Sequence, residues 1–187
     1  MIYETIVTTQ NRQGQLHIAP MGIHEHGNDI LILPFKPSST LDNILATGVG
    51  VLNFCEDVRV FAGCLTGRKE WPVVAAVTIT GSYLTAALAH SEFELIRMED
   101  DPERPKLFCR SVHEANHRAF KGFNRAQFSV LEAAILVSRL GMLPTEKIER
   151  ELDYLRIGLD KTAGKREQEA WNWLMDAVHQ FKTGTVS

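Results

Sequence analysis

A lysine and three hydroxyl residues stand together in the run Lys36-Pro37-Ser38-Ser39-Thr40. Apolar residues follow at the spacing of one helix face, which predicts a short helix from about Thr40 to Thr47. A helix N-terminus carries free N–H groups and the positive end of the helix dipole, so it suits an anion. Hydroxyls and a lysine are good partners for phosphate oxygens. An ordinary helix cap without a ligand explains the same residues, and both interpretations stay open.

A run of small residues, Ala19-Pro20-Met21-Gly22, comes at the end of a predicted strand. Small side chains and a proline let a flat ligand approach the backbone closely. A strand that ends in a turn is the simpler explanation of this segment taken alone.

Histidines offer two arrangements that can bind a metal ion. His24 and His26 alternate on a predicted strand and share one face, but no third ligand is evident nearby. Cys109, His113 and His117 lie four residues apart, which would align them on a helix. The surrounding sequence predicts a strand, which breaks that alignment, so we predict no metal site. His113 and His117 can instead line the edge of a ligand pocket.

The first part of the chain has the pattern of short strands separated by tight turns, which indicates a barrel rather than a βαβ sheet. The first two strands form a predicted hairpin around the turn Asn11–Gly14. The nearly continuous apolar run of 73–81 predicts a strand that is buried on both faces. The predicted strands are 3–9, 15–20, 30–33, 49–55, 73–81, 82–89, 93–99 and 105–112.

Helical spacing replaces the strand pattern from Asn124 onward, where Asn124 and Gln127 form a variant of the capping box. This helix is expected to end at Gly141, and two more are predicted at about 145–157 and 165–181. The expected fold is therefore mainly β with α, a barrel domain over 1–122 followed by a helical subdomain over 123–187.

The composition is that of a soluble globular protein, with 187 residues, 44% hydrophobic and 23% charged. A net charge of −3 gives no indication of a nucleic-acid or membrane partner. The three cysteines lack the spacing of a disulfide framework, which favours a reduced, cytoplasmic setting.

The motifs of the first 55 residues resemble, in order and spacing, those of flavin reductases and related split-barrel flavoproteins. The corresponding residues are Thr8-Thr9, Gly14, Ala19-Pro20-Met21-Gly22, Ser38, Thr40, Asn43-Ile44, Gly48 and Val51-Leu52-Asn53-Phe54. One family of FMN-binding split-barrel proteins of unknown function, found in archaea and in bacteria including methylotrophs, is similar nearly end to end. Its members share the A-P-M-G segment, the S-x-T-x-x-N helix start and a second helix start that appears here as Phe123-Asn124-Arg125-Ala126.

This resemblance implies an FMN-binding split β-barrel, followed by a helical region, that forms a homodimer. Ser38, Ser39 and Thr40 would hold the phosphate, with Lys36 adding charge. The other cofactor-binding residues that it implies are Ala19, Pro20, Met21, Gly22, Asn43, Asn53 and Phe54, with Asn124 and Arg125 at the ribityl-phosphate or the flavin edge.

The implied function is that of a flavin-dependent redox protein with a small-molecule partner and no assigned catalytic residue. The occurrence of the family in methanogens and methylotrophs implies a link to one-carbon metabolism. Two alternatives stay open: an NAD(P)H:flavin reductase, and a non-enzymatic flavin carrier or dimeric scaffold.

Overall fold

The chain forms two compact units in a computed structural model that describes residues 1–27 and 29–184. One unit combines Met1–Cys55 with Glu70–Phe120, and the other combines Glu56–Lys69 with the described residues from Lys121 onward. The second unit therefore includes a segment, 56–69, that lies before the predicted domain boundary at 122. Within the described residues, no helix has both the length and the hydrophobicity to cross a membrane.

Most strands of the first unit join in a barrel. Its elements are β1 (Ile2–Gln10), β2 (Leu16–His26), β3 (Asp29–Ile32), α1 (Ser39–Thr47), β4 (Val49–Phe54), β5 (Val73–Ala75), β6 (Ser82–Leu84), β7 (Ala89–Glu99) and β8 (Lys106–Asn116). In the described part of the chain, six strands close an antiparallel barrel in the order β1-β2-β3-β8-β7-β4. The predicted hairpin is confirmed, because β1 pairs with β2 around a turn that the Asn11 side chain stabilises by accepting the N–H groups of Gln13 and Gln15.

The barrel interior is filled by apolar side chains from the strands together with Leu41 and Ile44 of α1. Gly50 of β4 lies against the ring of Phe93 of β7, which is fully buried. A Cβ atom built on Gly50 would come within 2.6 Å of the Phe93 ring. The glycine is therefore required by the close approach of the ring to the backbone.

The predicted strand over 73–81 is wrong for most of its length. Only Val73–Ala75 forms a strand, β5, which pairs with β6 in a separate two-stranded ribbon. The side chains of Val73 and Val74 are exposed rather than buried. Beyond the strand, the N–H groups of residues 77–79 donate to the side chain of Glu92. The prediction failed because hydrophobic periodicity does not show which acceptor the backbone N–H groups of a segment will bond to.

The second unit consists of helices, α2 (Val58–Leu65), α3 (Arg125–Val137), α4 (Thr145–Thr162) and α5 (Lys165–Thr183). The three C-terminal helices begin where the sequence predicts, and α3 ends before Gly141. Helix α2 was not predicted, since only eight residues form it and Gly63 lies within it. Its Val58 and Ala62 pack in one core with α3, α4 and α5.

Asp57 anchors α2 in the helical unit. Its buried carboxylate accepts the backbone N–H of Arg59. It also accepts two hydrogen bonds from the Arg59 guanidinium, at 2.9 and 2.7 Å, and the guanidinium of Arg166 lies 3.7 Å away. Arg59 also reaches Glu169 of α5 at 3.1 Å. Burial raises the pKa of Asp57, but the hydrogen bonds and positive charge of Arg59, with Arg166 adding to them, hold it below the ordinary value of 3.8.

Replacement of Gly50 by alanine is expected to destabilise the barrel by about 1–3 kcal/mol, because the new methyl group overlaps the Phe93 ring. Gly81→Ala is the matched control, since its Cβ would find no atom closer than 3.6 Å. Thermal unfolding followed by circular dichroism compares the two. Equal melting temperatures in both variants would contradict the packing at Gly50.

Asp57→Asn keeps the helix cap but removes the charge that Arg59 binds, so a loss of about 1.5–3 kcal/mol is expected at neutral pH. A carboxylate with a lowered folded-state pKa stabilises the protein above its unfolded pKa, and that contribution disappears as pH falls through the folded value. The difference in melting temperature between parent and variant should therefore shrink below about pH 3.8. A difference that stays constant into acid would show that the charge of Asp57 contributes nothing.

Candidate functional site

The N-terminus of α1 presents unpaired donors. Ser38 is the N-cap residue, and its hydroxyl accepts the N–H of Leu41 at 3.2 Å. In the part of the chain that the structure describes, the N–H groups of Ser39 and Thr40 have no acceptor, and neither hydroxyl has a partner. Ser39 is exposed, whereas Thr40 is buried. The local geometry is thus that of a helix start able to accept an anion.

Lys36 lies just before this helix and pairs with Asp100 at 2.7 Å. The Lys36 ammonium, by its hydrogen bond and its charge, holds the pKa of Asp100 below its usual range. Both side chains reach solvent, with 35% and 71% of their surfaces exposed. Exposed ion pairs contribute only about 0–1 kcal/mol to stability. Lys36 can therefore leave Asp100 and pair with another anion.

The small-residue segment Ala19–Gly22 lies in β2, half-exposed and paired with β1 along its whole length. Strand β3 pairs only with residues 23–26 of β2, so among the described residues no strand covers the other edge of Ala19–Gly22. A Cβ atom on Gly22 would meet only ordinary contacts, the nearest at 3.4 Å from Ile2. Packing inside the chain therefore does not account for a glycine here.

Asn43 and Asn53, both predicted to bind cofactor, use their side chains inside the barrel unit. The Asn43 amide donates to the Thr9 hydroxyl at 3.0 Å, which ties α1 to β1. The fully buried Asn53 amide donates to the Ile6 carbonyl at 3.0 Å and to the Thr8 hydroxyl at 3.2 Å, and its oxygen accepts the N–H of Leu84 at 2.7 Å. Both asparagines thus position elements.

Three other predicted residues stand elsewhere. Phe54, at the end of β4, is 38% exposed. Asn124 is the N-cap of α3, where its oxygen accepts the N–H groups of Ala126 and Gln127 and its amide donates to the Thr162 carbonyl. Arg125 begins the same helix. Asn124 and Arg125 lie in the helical unit, and their assignment to the flavin stays a prediction.

A second polar cluster lies on the outer face of the barrel, at Glu92 of β7. Its carboxylate is fully buried and accepts the N–H groups of Val77, Thr78 and Ile79 at 2.6, 2.7 and 3.0 Å. Burial raises the pKa of Glu92, but these three donors, together with His90, outweigh it and hold the pKa below its usual value. The carboxylate is therefore ionised at neutral pH.

Three histidines lie in this cluster, and His90 is the one that bonds to the carboxylate. The buried His90 ring lies 3.3 Å from Glu92 Oε1 through Nε2 and 2.8 Å from His117 Nε2 through Nδ1. Tyr83 of β6 stacks on both rings, with centroids 4.1 Å from His90 and 4.7 Å from His117. Although His117 as a whole is exposed, desolvation of its stacked ring and the nearby His90 and Arg118 lower its pKa.

His113 of β8 completes the cluster, because it lies directly opposite Glu92 in the sheet. Ligand atoms of His90, Glu92 and His113 all lie within 4.8 Å of one another. Sequence reasoning missed His90, Glu92 and Tyr83. The alternation His90-x-Glu92 was the available signal, since such residues share one face of a strand.

Of the other two histidine arrangements, only that of Cys109, His113 and His117 lies wholly within the described side chains. Cys109 lies in the barrel core on strand β8, where burial raises the pKa of its thiol to about 12. The predicted strand is confirmed there, so Cys109 does not align with His113 and His117 on a helix. His24 pairs with Leu31 of β3, and the side chain of His26 lies outside the described residues.

Comparison with known families shows which family the chain belongs to. A family model described as the N-terminal domain of a protein of unknown function, DUF447, matches residues 3–118, and its C-terminal counterpart matches residues 124–176. The chain belongs to the DUF447 family. No curated protein matches the sequence.

Solved structures share the fold of this DUF447 chain. An FMN-bound DUF447 protein from Methanosarcina mazei superposes with a TM-score of 0.80 at 22% identity over 94% of each chain. A 2-nitrobenzoate 2-nitroreductase from Pseudomonas fluorescens gives 0.53 at 20% identity, over 61% of this chain and 64% of that one. Nitrilotriacetate monooxygenase component B from Mycobacterium thermoresistibile gives 0.55 at 16% identity, over 65% and 73%. The predicted split-barrel fold and family resemblance are confirmed.

Proposed function

We propose that this DUF447 chain binds FMN and acts in redox chemistry with a small-molecule partner. The observation that carries the proposal is the match, over 94% of both chains, to a family member whose structure holds FMN. The link to one-carbon metabolism stays a prediction from the resemblance to proteins of methanogens and methylotrophs.

The start of α1 fits the phosphate of FMN. The N–H groups of Ser39 and Thr40 and both hydroxyls are uncommitted among the described residues, and the helix dipole favours negative charge at this end. Lys36, whose exposed pairing with Asp100 is weak, supplies a cation at the same segment. Ser38 contributes as the cap that fixes the helix start.

The uncovered edge of β2 fits the flat ring of the flavin. Residues Ala19–Gly22 have small or flexible side chains, and no strand among those described pairs with their outer edge. Gly22 has no packing reason within the chain, so close approach of a ligand to the backbone accounts for it. Asn53 and Phe54 remain candidates for contact through their backbone.

When bound, FMN supplies hydride or electron transfer, and the chain supplies binding and orientation. The side chains of Asn43 and Asn53 hold α1 and β4 in place from inside the barrel unit. Ser39 and Thr40 then contact the ligand directly. Loss of a hydroxyl at these two residues should therefore weaken binding without disturbing the fold.

Purified protein is expected to be yellow or to take up one FMN per chain on titration, followed by the quenching of flavin fluorescence. Ser39→Ala and Thr40→Val each remove a hydrogen bond to a charged phosphate, worth about 1.5–3 kcal/mol, so each should weaken binding roughly 10- to 100-fold. Ser138→Ala, which removes an exposed hydroxyl in the helical unit, is the control and should bind normally.

The outcomes separate the function from the site. Failure of the parent protein to bind any flavin at micromolar concentration would reject the proposed function. Normal binding by a double variant that combines Ser39→Ala with Thr40→Val would reject only the phosphate site at Ser39 and Thr40. Steady-state oxidation of NAD(P)H with excess free FMN distinguishes the reductase alternative, in which FMN is a substrate that is released, from a protein that retains its FMN through turnover.

We also propose that the chain forms a homodimer through the β5–β6 ribbon. Val73, Val74 and Val77 expose 37%, 43% and 70% of their surfaces, although this run has the composition of a buried strand. Exposed apolar residues that are grouped in one short segment are typical of an interface. A second copy of the chain would give them the burial that their sequence predicts.

Val74→Glu with Val77→Glu is expected to convert the dimer to a monomer, because two carboxylates would be desolvated in the interface. Light scattering after size-exclusion chromatography measures the mass. Tyr154→Glu, at a residue 72% exposed on α4, is the matched control and should leave the dimer intact. A parent protein that is monomeric, or a double variant that remains dimeric, would contradict the proposed interface.

A further inference from the structure

We propose that His90, Glu92 and His113 form a binding site for one divalent transition-metal ion on the outer face of the barrel. The set is two imidazoles and one carboxylate, which suits zinc and other first-row divalent ions. Their ligand atoms lie within 4.8 Å of one another. This site departs from our sequence-based prediction and does not depend on flavin binding.

The distance between His90 and Glu92 fits a shared ion. Zinc binds nitrogen and oxygen at about 2.0–2.2 Å in tetrahedral geometry, which places two of its ligands about 3.3 Å apart. His90 Nε2 lies 3.3 Å from Glu92 Oε1. A hydrogen bond between a histidine and an ionised carboxylate is usually shorter, about 2.7–2.9 Å. The two groups therefore stand at the separation of two ligands.

Secondary structure brings the third ligand to this pair. His90 and Glu92 are two residues apart on β7 and share its outer face, and His113 opposes Glu92 on β8. The pairing of β7 with β8 shifts register after Glu92, because Phe93 opposes Ser111 and leaves Val112 as an extra residue. Without this bulge, Val112 would take the place of His113 opposite Glu92.

The groups around the ligands are those that orient metal ligands in proteins. Three backbone N–H groups hold the Glu92 carboxylate before any ion arrives. The other nitrogen of His90, Nδ1, lies 2.8 Å from His117 Nε2, and this contact fixes the orientation of the His90 ring. Tyr83 stacks on both rings and holds their planes.

His113 is the ligand free to complete the site. It is half-buried, and it has no hydrogen-bond partner in the described part of the chain. A small rotation of its side chain closes the remaining distance to the ion. Three protein ligands leave one position of a tetrahedral ion open to water or to another small molecule.

Cobalt(II) is the probe, because it reports its ligands through visible ligand-field absorption. The full chain, stripped of metal with a chelator, is titrated with Co²⁺ and then with Zn²⁺, and calorimetry gives the stoichiometry. We expect one Co²⁺ per chain, absorption bands typical of four-coordinate nitrogen and oxygen ligation, and displacement by Zn²⁺. The same titration in the presence and absence of FMN keeps this result separate from flavin binding.

His113→Ala removes a ligand whose side chain makes no hydrogen bond to another described residue. The variant should therefore lose the Co²⁺ absorption bands while its fold remains intact. His117→Phe removes only the partner of His90 and should weaken Co²⁺ binding about 10- to 100-fold. His24→Ala, on β2, is the matched control and should bind as the parent does. No bands in the parent, or bands that survive His113→Ala or disappear in His24→Ala, would overturn the site.

Discussion

The buried amide of Asn53 connects more elements of the barrel unit than any one backbone pairing does. It donates to β1 at the Ile6 carbonyl and accepts from β6 at the N–H of Leu84. The Thr8 hydroxyl, itself an acceptor for Asn53, donates to the Ser82 carbonyl at 2.5 Å. Residues 82 and 84 are thereby fixed on either side of Tyr83. Tyr83, between these two fixed residues, stacks on His90 and His117.

Glu92 imposes a second constraint, which determines the shape of the segment before β6. A buried ionised carboxylate is very costly unless donors surround it, and three consecutive backbone N–H groups meet this need. Those N–H groups cannot then take part in a β-ladder. The segment after β5 consequently leaves the strand conformation at Ala75, although its side chains have strand composition.

The sequence predicted those elements whose signals are local. The turn residues at Asn11–Gly14, the cap at Ser38 and the cap at Asn124 each identify one element, and the structure places an element at each. It did not predict what depends on distant partners. The acceptor of residues 77–79 lies more than ten positions away, at Glu92. Helix α2 is short, and its apolar face is explained only by the core that α3 and α5 provide.

The candidate site shows the same division among its residues. Among the residues that the resemblance assigns to the cofactor, Asn43 and Asn53 are committed to bonds within the barrel unit. The hydroxyls of Ser39 and Thr40 have no partner among the described residues, and no packing contact requires a glycine at Gly22. A motif read from sequence cannot separate these two groups, because it records only residue types and their spacing. The bonding pattern in the structure separates residues that hold elements in place from residues whose donors stay available to a ligand.

The two adjacent threonines of the motif, Thr8 and Thr9, each hold a different element in place. Successive residues of a strand point to opposite faces, so Thr8 and Thr9 of β1 face different sides of the barrel wall. Thr9 bonds to Asn43 and holds α1, with its anion-accepting start. Thr8 bonds to Asn53 and Ser82 and holds β6 against the histidine cluster. One dipeptide therefore supports both polar sites, through opposite faces of the same strand.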